Sequence, residues 1–108
     1  MSHTTAKTAL FIRHKAKPGL RDEVRKVWEK HVPQHVSANA AHEVYVYCYD
    51  DKDPDAIVVF QLYGDASGPQ DFVKQPWYPT YEVEVAPLLT GESEFRSATP
   101  VWSKGGNT

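Results

Sequence analysis

Residues 44–63, VYVYCYDDKDPDAIVVFQLY, hold two apolar runs joined by an acidic turn. Successive side chains on a strand alternate between faces, so Val44, Val46 and Cys48 share one side of the first run and Tyr45, Tyr47 and Tyr49 the other. In the second run Ala56, Val58, Phe60 and Leu62 oppose Ile57, Val59, Gln61 and Tyr63. Neither side of this hairpin is polar. An antiparallel hairpin with one wet face alternates apolar with polar residues, so both faces here call for a cover.

Working outward, residues 8–16 (TALFIRHKA) alternate as a strand, with Leu10, Ile12 and His14 on one face and Phe11, Arg13 and Lys15 on the other. Lys17-Pro18-Gly19 ends it. From Leu20 the period changes: Leu20, Val24, Val27, Trp28, His31 and His35 recur every three or four residues, which predicts an amphipathic helix. Pro33 lacks a backbone donor and disfavours helical geometry at Val32, so this helix is expected to kink or restart there.

After the hairpin, Asp65 or Ser67 can cap a short helix, with Pro69 in its first turn and Phe72 and Val73 inside it, until Pro76. A further helix is expected over residues 79–89, with Tyr78, Tyr81, Val85, Leu88 and Leu89 as its apolar side and Thr90-Gly91 closing it. ESEFRSATPVW, residues 92–102, reads as a last strand with Phe95 inward and Pro100 limiting its pairing.

The order strand, helix, strand, strand, helix, strand predicts an α+β, ferredoxin-like βαββαβ fold: a four-stranded antiparallel sheet with helices on one face. Residues 8–102 form the domain, between an N-terminal segment (1–7) and a C-terminal tail (103–108) that are both expected to be flexible. Two helices cover one face of such a sheet. The other, apolar on every strand, calls for a second copy of the chain and so for a homodimer. The alternative is an open sheet whose tyrosines keep their hydroxyls in water.

The 108 residues suit one modest core, with 41% hydrophobic and 24% charged residues. A formal net charge of -2 gives no basic excess for nucleic acid. The start, MSHTTAKTALFIRHKAKPG, has no basic segment followed by an apolar one, and no apolar run approaches the roughly 20 residues of a membrane span, so a cytoplasmic protein is expected. Cys48, the single cysteine, reads as a small buried hydrophobe.

The segments ALFIRHKAKPG, LRDEVRKVWEKHV, HEVYVYCYDDKDPDAIVVFQLYGD and DFVKQPWYPTYEVEVAPLLTG, in this order, resemble the antibiotic biosynthesis monooxygenase (ABM) domain family over roughly residues 9–97. The resemblance rests on the Lys-Pro-Gly turn, the acidic turn ending in Asp53-Pro54, the step Gln75-Pro76-Trp77-Tyr78 and Pro87-Leu88-Leu89. It implies a dimeric α+β barrel with a pocket between sheet and helices in each subunit. It also implies cofactor-free oxygenation of quinols, anthrones and other phenolic compounds, although relatives on this scaffold isomerise substrates or have no known reaction. Phe72 stands where many members have a histidine, and Gln61 where a glutamate is common. Members that degrade haem use an asparagine, a tryptophan and a histidine where this chain has Ile12, Phe72 and Tyr81 or Glu82, so haem degradation is not expected.

Oxygenation without a cofactor needs a base, donors for the resulting anion and a dry cavity. Histidine is the natural base near neutral pH. His31, at the end of the helix stripe, is the first candidate, His35 the second and His14 the third; the plain alternative for His31 is a hydrogen-bonded residue at the core boundary. Trp28, Phe60, Tyr63, Phe72, Trp77, Tyr78 and Tyr81 can line a cavity for a flat ligand, with Tyr81 as the catalytic donor, or simply fill the core. His31 and His35 also have a spacing that can hold a metal, but Pro33 lies between them and no third ligand is near in sequence, so neither a metal nor another cofactor is expected. DDKDPD lacks the glycine and the terminal glutamate of a calcium loop and reads as a solvated turn. No phosphate loop, dinucleotide fingerprint or serine-hydrolase elbow is present. The expected activity is oxidation of a small aromatic or quinone-like substrate by O2. A non-catalytic ligand-binding dimer and a non-redox isomerase are the alternatives.

Overall fold

A computed structural model describes residues 7–104. Of the segments expected to be flexible, residues 1–6 and 105–108 lie outside the described residues. The elements are β1 (Thr8–Lys15), α1 (Arg21–His31), α2 (Pro33–Ala38), β2 (His42–Tyr49), β3 (Ala56–Tyr63), α3 (Gly68–Val73), α4 (Tyr78–Val85), a 3-10 turn (Ala86–Leu88) and β4 (Glu94–Ala98). The four strands form one antiparallel sheet in the order β2-β3-β1-β4. This is the ferredoxin-like α+β arrangement that the strand and helix periods predict.

Register follows the alternation. Ile12 pairs with Val59, His14 with Ile57 and Leu10 with Gln61, which puts these residues in one inward layer under the helices. Ala56, Ile57, Val59 and Tyr63 are all but sealed from solvent. Val24 and Val32 from the first helical layer, Phe72 from α3, and Tyr81 and Val85 from α4 close the core over them. The opposite face carries Phe11, paired with Phe60, and Val44 and Val46, paired with Leu62 and Phe60. No element of the described chain covers it, and Phe11 and Val46 are 43% and 45% exposed.

The acidic turn is tied down rather than simply solvated. Asp53 Oδ2 takes hydrogen bonds from Arg13 (3.1 Å) and Lys15 (2.7 Å), while Arg21 Nη1 donates to the carbonyls of Asp50, Asp53 and Ala56. Asp55 Oδ1 accepts from the backbone N–H of Gly19, whose φ of 80° is a left-handed conformation that glycine adopts without strain. Hairpin turn and β1–α1 turn are thereby locked together.

One local expectation holds and several are corrected. The restart at Pro33 occurs, with proline in the first turn of α2, where its missing N–H has no helical partner to lose. The last helix stops at Val85, because Pro87 removes a donor and the chain tightens into the 3-10 turn. Neither Asp65 nor Ser67 makes a side-chain cap on α3; instead Asp65 Oδ1 accepts from the N–H and Oγ–H of Ser67, holding the turn before it. The last strand is only five residues long and exposed throughout, and Phe95, although it faces the helix side, is 58% exposed because no helix reaches that edge. Cys48 is exposed, not buried, since its parity puts it on the uncovered face.

Candidate functional site: an aromatic cavity between sheet and helices

A cavity of about 360 Å³ lies between the inward face of the sheet and the helical layer. Its floor is Leu10, Ile12 and His14 from β1, Tyr45 and Tyr47 from β2, Val59, Gln61 and Tyr63 from β3, and Phe95 from β4. Its roof is Trp28 and Val32, Phe72 and Val73 from α3, and Tyr78, Tyr81 and Glu82 from α4. The alternation of the four strands aims inward residues of each into the same space, and the helix stripes supply the lid. The lining is mostly apolar and aromatic with a few polar groups, the usual character of a small-molecule site.

Those polar groups have defined states. Trp28 Nε1–H donates to Tyr45 Oη at 3.0 Å, and burial pushes the Tyr45 phenol up to about 12. Burial likewise raises Tyr47, Tyr63, Tyr78 and Tyr81 above the ordinary tyrosine range. All five are therefore uncharged at neutral pH. Tyr47 Oη is buried without a hydrogen-bond partner among the described residues. Tyr63 Oη–H donates to Gln61 Oε1. His14 is joined through Nδ1 to Ser93 Oγ, and burial lowers its imidazole to about 4, so it too is neutral at pH 7.

A second, smaller cavity of about 290 Å³ opens beside the first, lined by His35, Asn39, Asp65, Asp71, Gln75 and Trp77 among others. Phe72 lines both cavities and forms the wall between them. His35 stacks on Trp77 with ring centroids 4.1 Å apart and planes 3° apart.

No family model matches the chain, and no curated protein matches it. Solved structures do. A proposed antibiotic biosynthesis monooxygenase from Chloroflexus aurantiacus superposes with a TM-score of 0.76 at 23% identity, over 93% of this chain and 98% of that one. A second, from Caulobacter crescentus, gives a TM-score of 0.82 at 16% identity, over 93% and 94%. A variant of SnoaB, a cofactor-independent oxygenase from Streptomyces nogalater, gives 0.79 at 13% identity, over 94% and 100%. The fold is that of the antibiotic biosynthesis monooxygenase structures. At these identities the likeness is one of fold, and function has to be argued from the site.

Within this fold, the residues singled out in the sequence separate into three places. His14, Trp28, Tyr63, Phe72, Tyr78 and Tyr81 meet around the larger cavity. His35 and Trp77 line the smaller one. His31 and Phe60 line neither. His31 Nε2 lies 2.7 Å from Glu84 Oε1, and hydrogen bonds from His31 and Lys30 hold the Glu84 carboxyl below its ordinary range. His31 is thus a bonded boundary residue, its ring centroid 6.0 Å from that of Tyr81. Phe60 packs on Phe11 at 5.1 Å, on the uncovered face. Among the described residues no three His, Cys, Asp or Glu side chains converge as metal ligands would. Among the described residues no helix is long and apolar enough to cross a membrane.

Of the aromatic residues that line the larger cavity, Tyr45, Tyr47 and Phe95 are not among the site candidates that the sequence offers, although alternation puts the two tyrosines on one face of their strand. The pair His42 and Gln61 had no motif to announce it. Gln61 sits in the inward row of β3 between Val59 and Tyr63, and that alternation is a signal for it in the sequence.

Proposed function

We propose that the chain is a cofactor-independent oxygenase of the ABM kind, taking a flat phenolic or quinol-like substrate into the larger cavity and oxidising it with O2. The observation that carries this reading is the convergence of five uncharged phenols and one neutral imidazole on a single, otherwise apolar, cavity. The bound ring stacks against Trp28, Phe72 and Tyr78. His14, the only histidine lining this cavity among the described residues, is the base, and the unpartnered Tyr47 hydroxyl and the Tyr81 hydroxyl are donors for the anion.

Proton transfer from a phenol to His14 creates an imidazolium beside a phenolate. Their attraction in a low-dielectric site offsets the desolvation that otherwise disfavours the cation. The electron-rich anion then reduces O2. At a ring methylene the balance is CH2 + O2 → C=O + H2O: one oxygen atom enters the carbonyl, and the other leaves as water with both hydrogens. The substrate supplies all four electrons.

The uncovered face of the sheet supports a homodimer closing the second half of a barrel. Phe11, Val44, Val46 and Phe60 form an apolar surface that a second copy would bury, and a stable interface of this type removes roughly 1,200–2,000 Å² from water.

The test is oxygen uptake by metal-stripped protein with quinols, anthrones and hydroxynaphthoquinones, corrected for spontaneous oxidation. Saturable uptake that persists with chelator is expected, and His14→Gln should lower kcat by about 100-fold or more. No uptake above the spontaneous rate overturns the oxygenase. A specific observation favours a second reading, a dimer that binds without turnover: an imidazole held at about 4 is a weak base at pH 7. Tight binding without uptake is its signature.

A further inference from the structure

Gln61 is the one fully buried polar side chain among the described residues, 4% exposed, and it lines the larger cavity. Its carbonyl oxygen is doubly engaged. Tyr63 Oη–H donates to Gln61 Oε1, and His42 Nε2 lies 2.9 Å from the same atom. The direction of the second bond follows from Asn39. Asn39 Oδ1 accepts the Ala41 N–H at 3.2 Å, which turns its Nδ2 toward His42 Nδ1 at 2.9 Å. An amide nitrogen can only donate, so His42 Nδ1 accepts and the ring proton sits on Nε2, facing Gln61. Desolvation lowers the His42 pKa and so favours this neutral form. His42 itself is clamped, with Phe72 edge-on at 4.6 Å and Tyr63 at 4.3 Å between ring centroids.

The consequence lies at the other end of the amide. With Oε1 fixed by two donors the amide cannot flip, and its Nε2 has no hydrogen-bond partner among the described residues. That nitrogen is not among the partnerless side-chain atoms sealed from solvent, so it is open to the cavity, and a ligand acceptor that reaches it there gains a hydrogen bond in a low-dielectric surrounding. We infer that Gln61 is the specificity-determining donor of the cavity, selecting flat ligands that carry a carbonyl, quinone or phenolate oxygen, and that His42 and Asn39 are positioning residues that hold its amide in the donating orientation. This rests on the aromatic-cavity reading above and adds to it the recognition of one oxygen on the ligand.

The probes are chromone, a flat bicycle with a carbonyl acceptor, and naphthalene, of similar outline with none. Affinities are measured by NMR titration of the full chain. The unmodified protein should bind chromone about tenfold more tightly than naphthalene, the worth of one buried hydrogen bond. Gln61→Glu keeps an oxygen for His42 and Tyr63 but replaces the donating nitrogen. It should abolish the chromone preference while naphthalene affinity stays within about twofold. His42→Phe should reduce the preference partway, again without weakening naphthalene, a split that a merely structural role would not produce. Independently of any variant, the Gln61 side-chain amide resonance should shift with chromone and not with naphthalene. A chromone preference that survives Gln61→Glu, an equal loss for both probes, or an amide resonance indifferent to chromone overturns the inference. If both probes bind the unmodified protein equally, this inference alone falls; if neither binds, the aromatic-cavity reading falls with it.

Discussion

The two faces of the sheet are built from the same kinds of residue and meet different fates. On one, Ile57, Val59 and Tyr63 are no more than 1% exposed beneath the helices. On the other, Phe11 and Val46, on neighbouring ladders, keep more than two-fifths of their surface in water. Strand alternation places apolar groups on both sides of every central strand, but the described residues supply helices for one side only. The difference teaches that the covered face carries the chain's own core and cavity, while the bare face is the surface on which the proposed second copy would dock.

The strongest way to break that comparison is to charge the bare face. Phe11→Glu combined with Phe60→Glu should raise the dimer dissociation constant by at least about 100-fold, because two central aromatics become buried, unpaired carboxylates. Sedimentation would then report a 12.2 kDa species instead of twice that mass. Ligand binding in the cavity should persist. A dimer unchanged by both charges would show that this face is not the interface.

On the covered face, Tyr81→Ala should lower stability by about 3–5 kcal/mol in urea unfolding, since a large buried ring is lost beside an existing cavity. A loss below about 1 kcal/mol would mean that the roof collapses freely onto the sheet.

His14 sharpens the contrast through pH. Its folded-state pKa of about 4 lies below the ordinary 6.5, so between these values the unfolded chain binds more protons. Its contribution is fully present above pH 6.5 and is lost as pH falls toward 4, by at most about 3 kcal/mol for a group that is only partly sealed. Comparing stability curves of the unmodified chain and His14→Gln between pH 7 and 4 isolates this slope. Parallel curves would place the imidazole in water.

Gly68 is the finest probe of the covered face. A Cβ there would overlap the Tyr63 ring, so Gly68→Ala must push α3 off β3 or turn the tyrosine. The expected loss is about 1–3 kcal/mol, with a measurable change in the Tyr63–Gln61 bond and hence in ligand affinity. The equivalent surface change, Val83→Ser at a position 75% exposed, should move stability by no more than about 0.5 kcal/mol.

The fold was readable because its signals are local. Tyr45, Tyr47 and Tyr49 alternate with Val44, Val46 and Cys48, and Leu20 to His31 repeats every three or four residues, so strand and helix are declared by neighbours along the chain. Pro33 announced a restart for the same reason. Cys48 was misjudged because parity says which face a residue occupies, not whether that face is covered within the same chain. The site was readable in part. His14, ranked third as a base, lies in the cavity, while His31, ranked first, is turned to Glu84. The helix stripe showed that His31 sits near the apolar side; it did not show how the helix is rotated over the sheet.

What the sequence determined by itself is the order of the elements, the two alternating rows of each strand, and an apolar surplus larger than two helices can bury. All of these follow from side-chain periodicity and composition. What only the tertiary structure decided is which inward rows enclose open space, which histidine reaches it, and that Asn39, His42, Gln61 and Tyr63 join in one chain of hydrogen bonds. Those depend on register and on the seating of helices against strands, set by contacts between residues tens of positions apart, which no local period encodes.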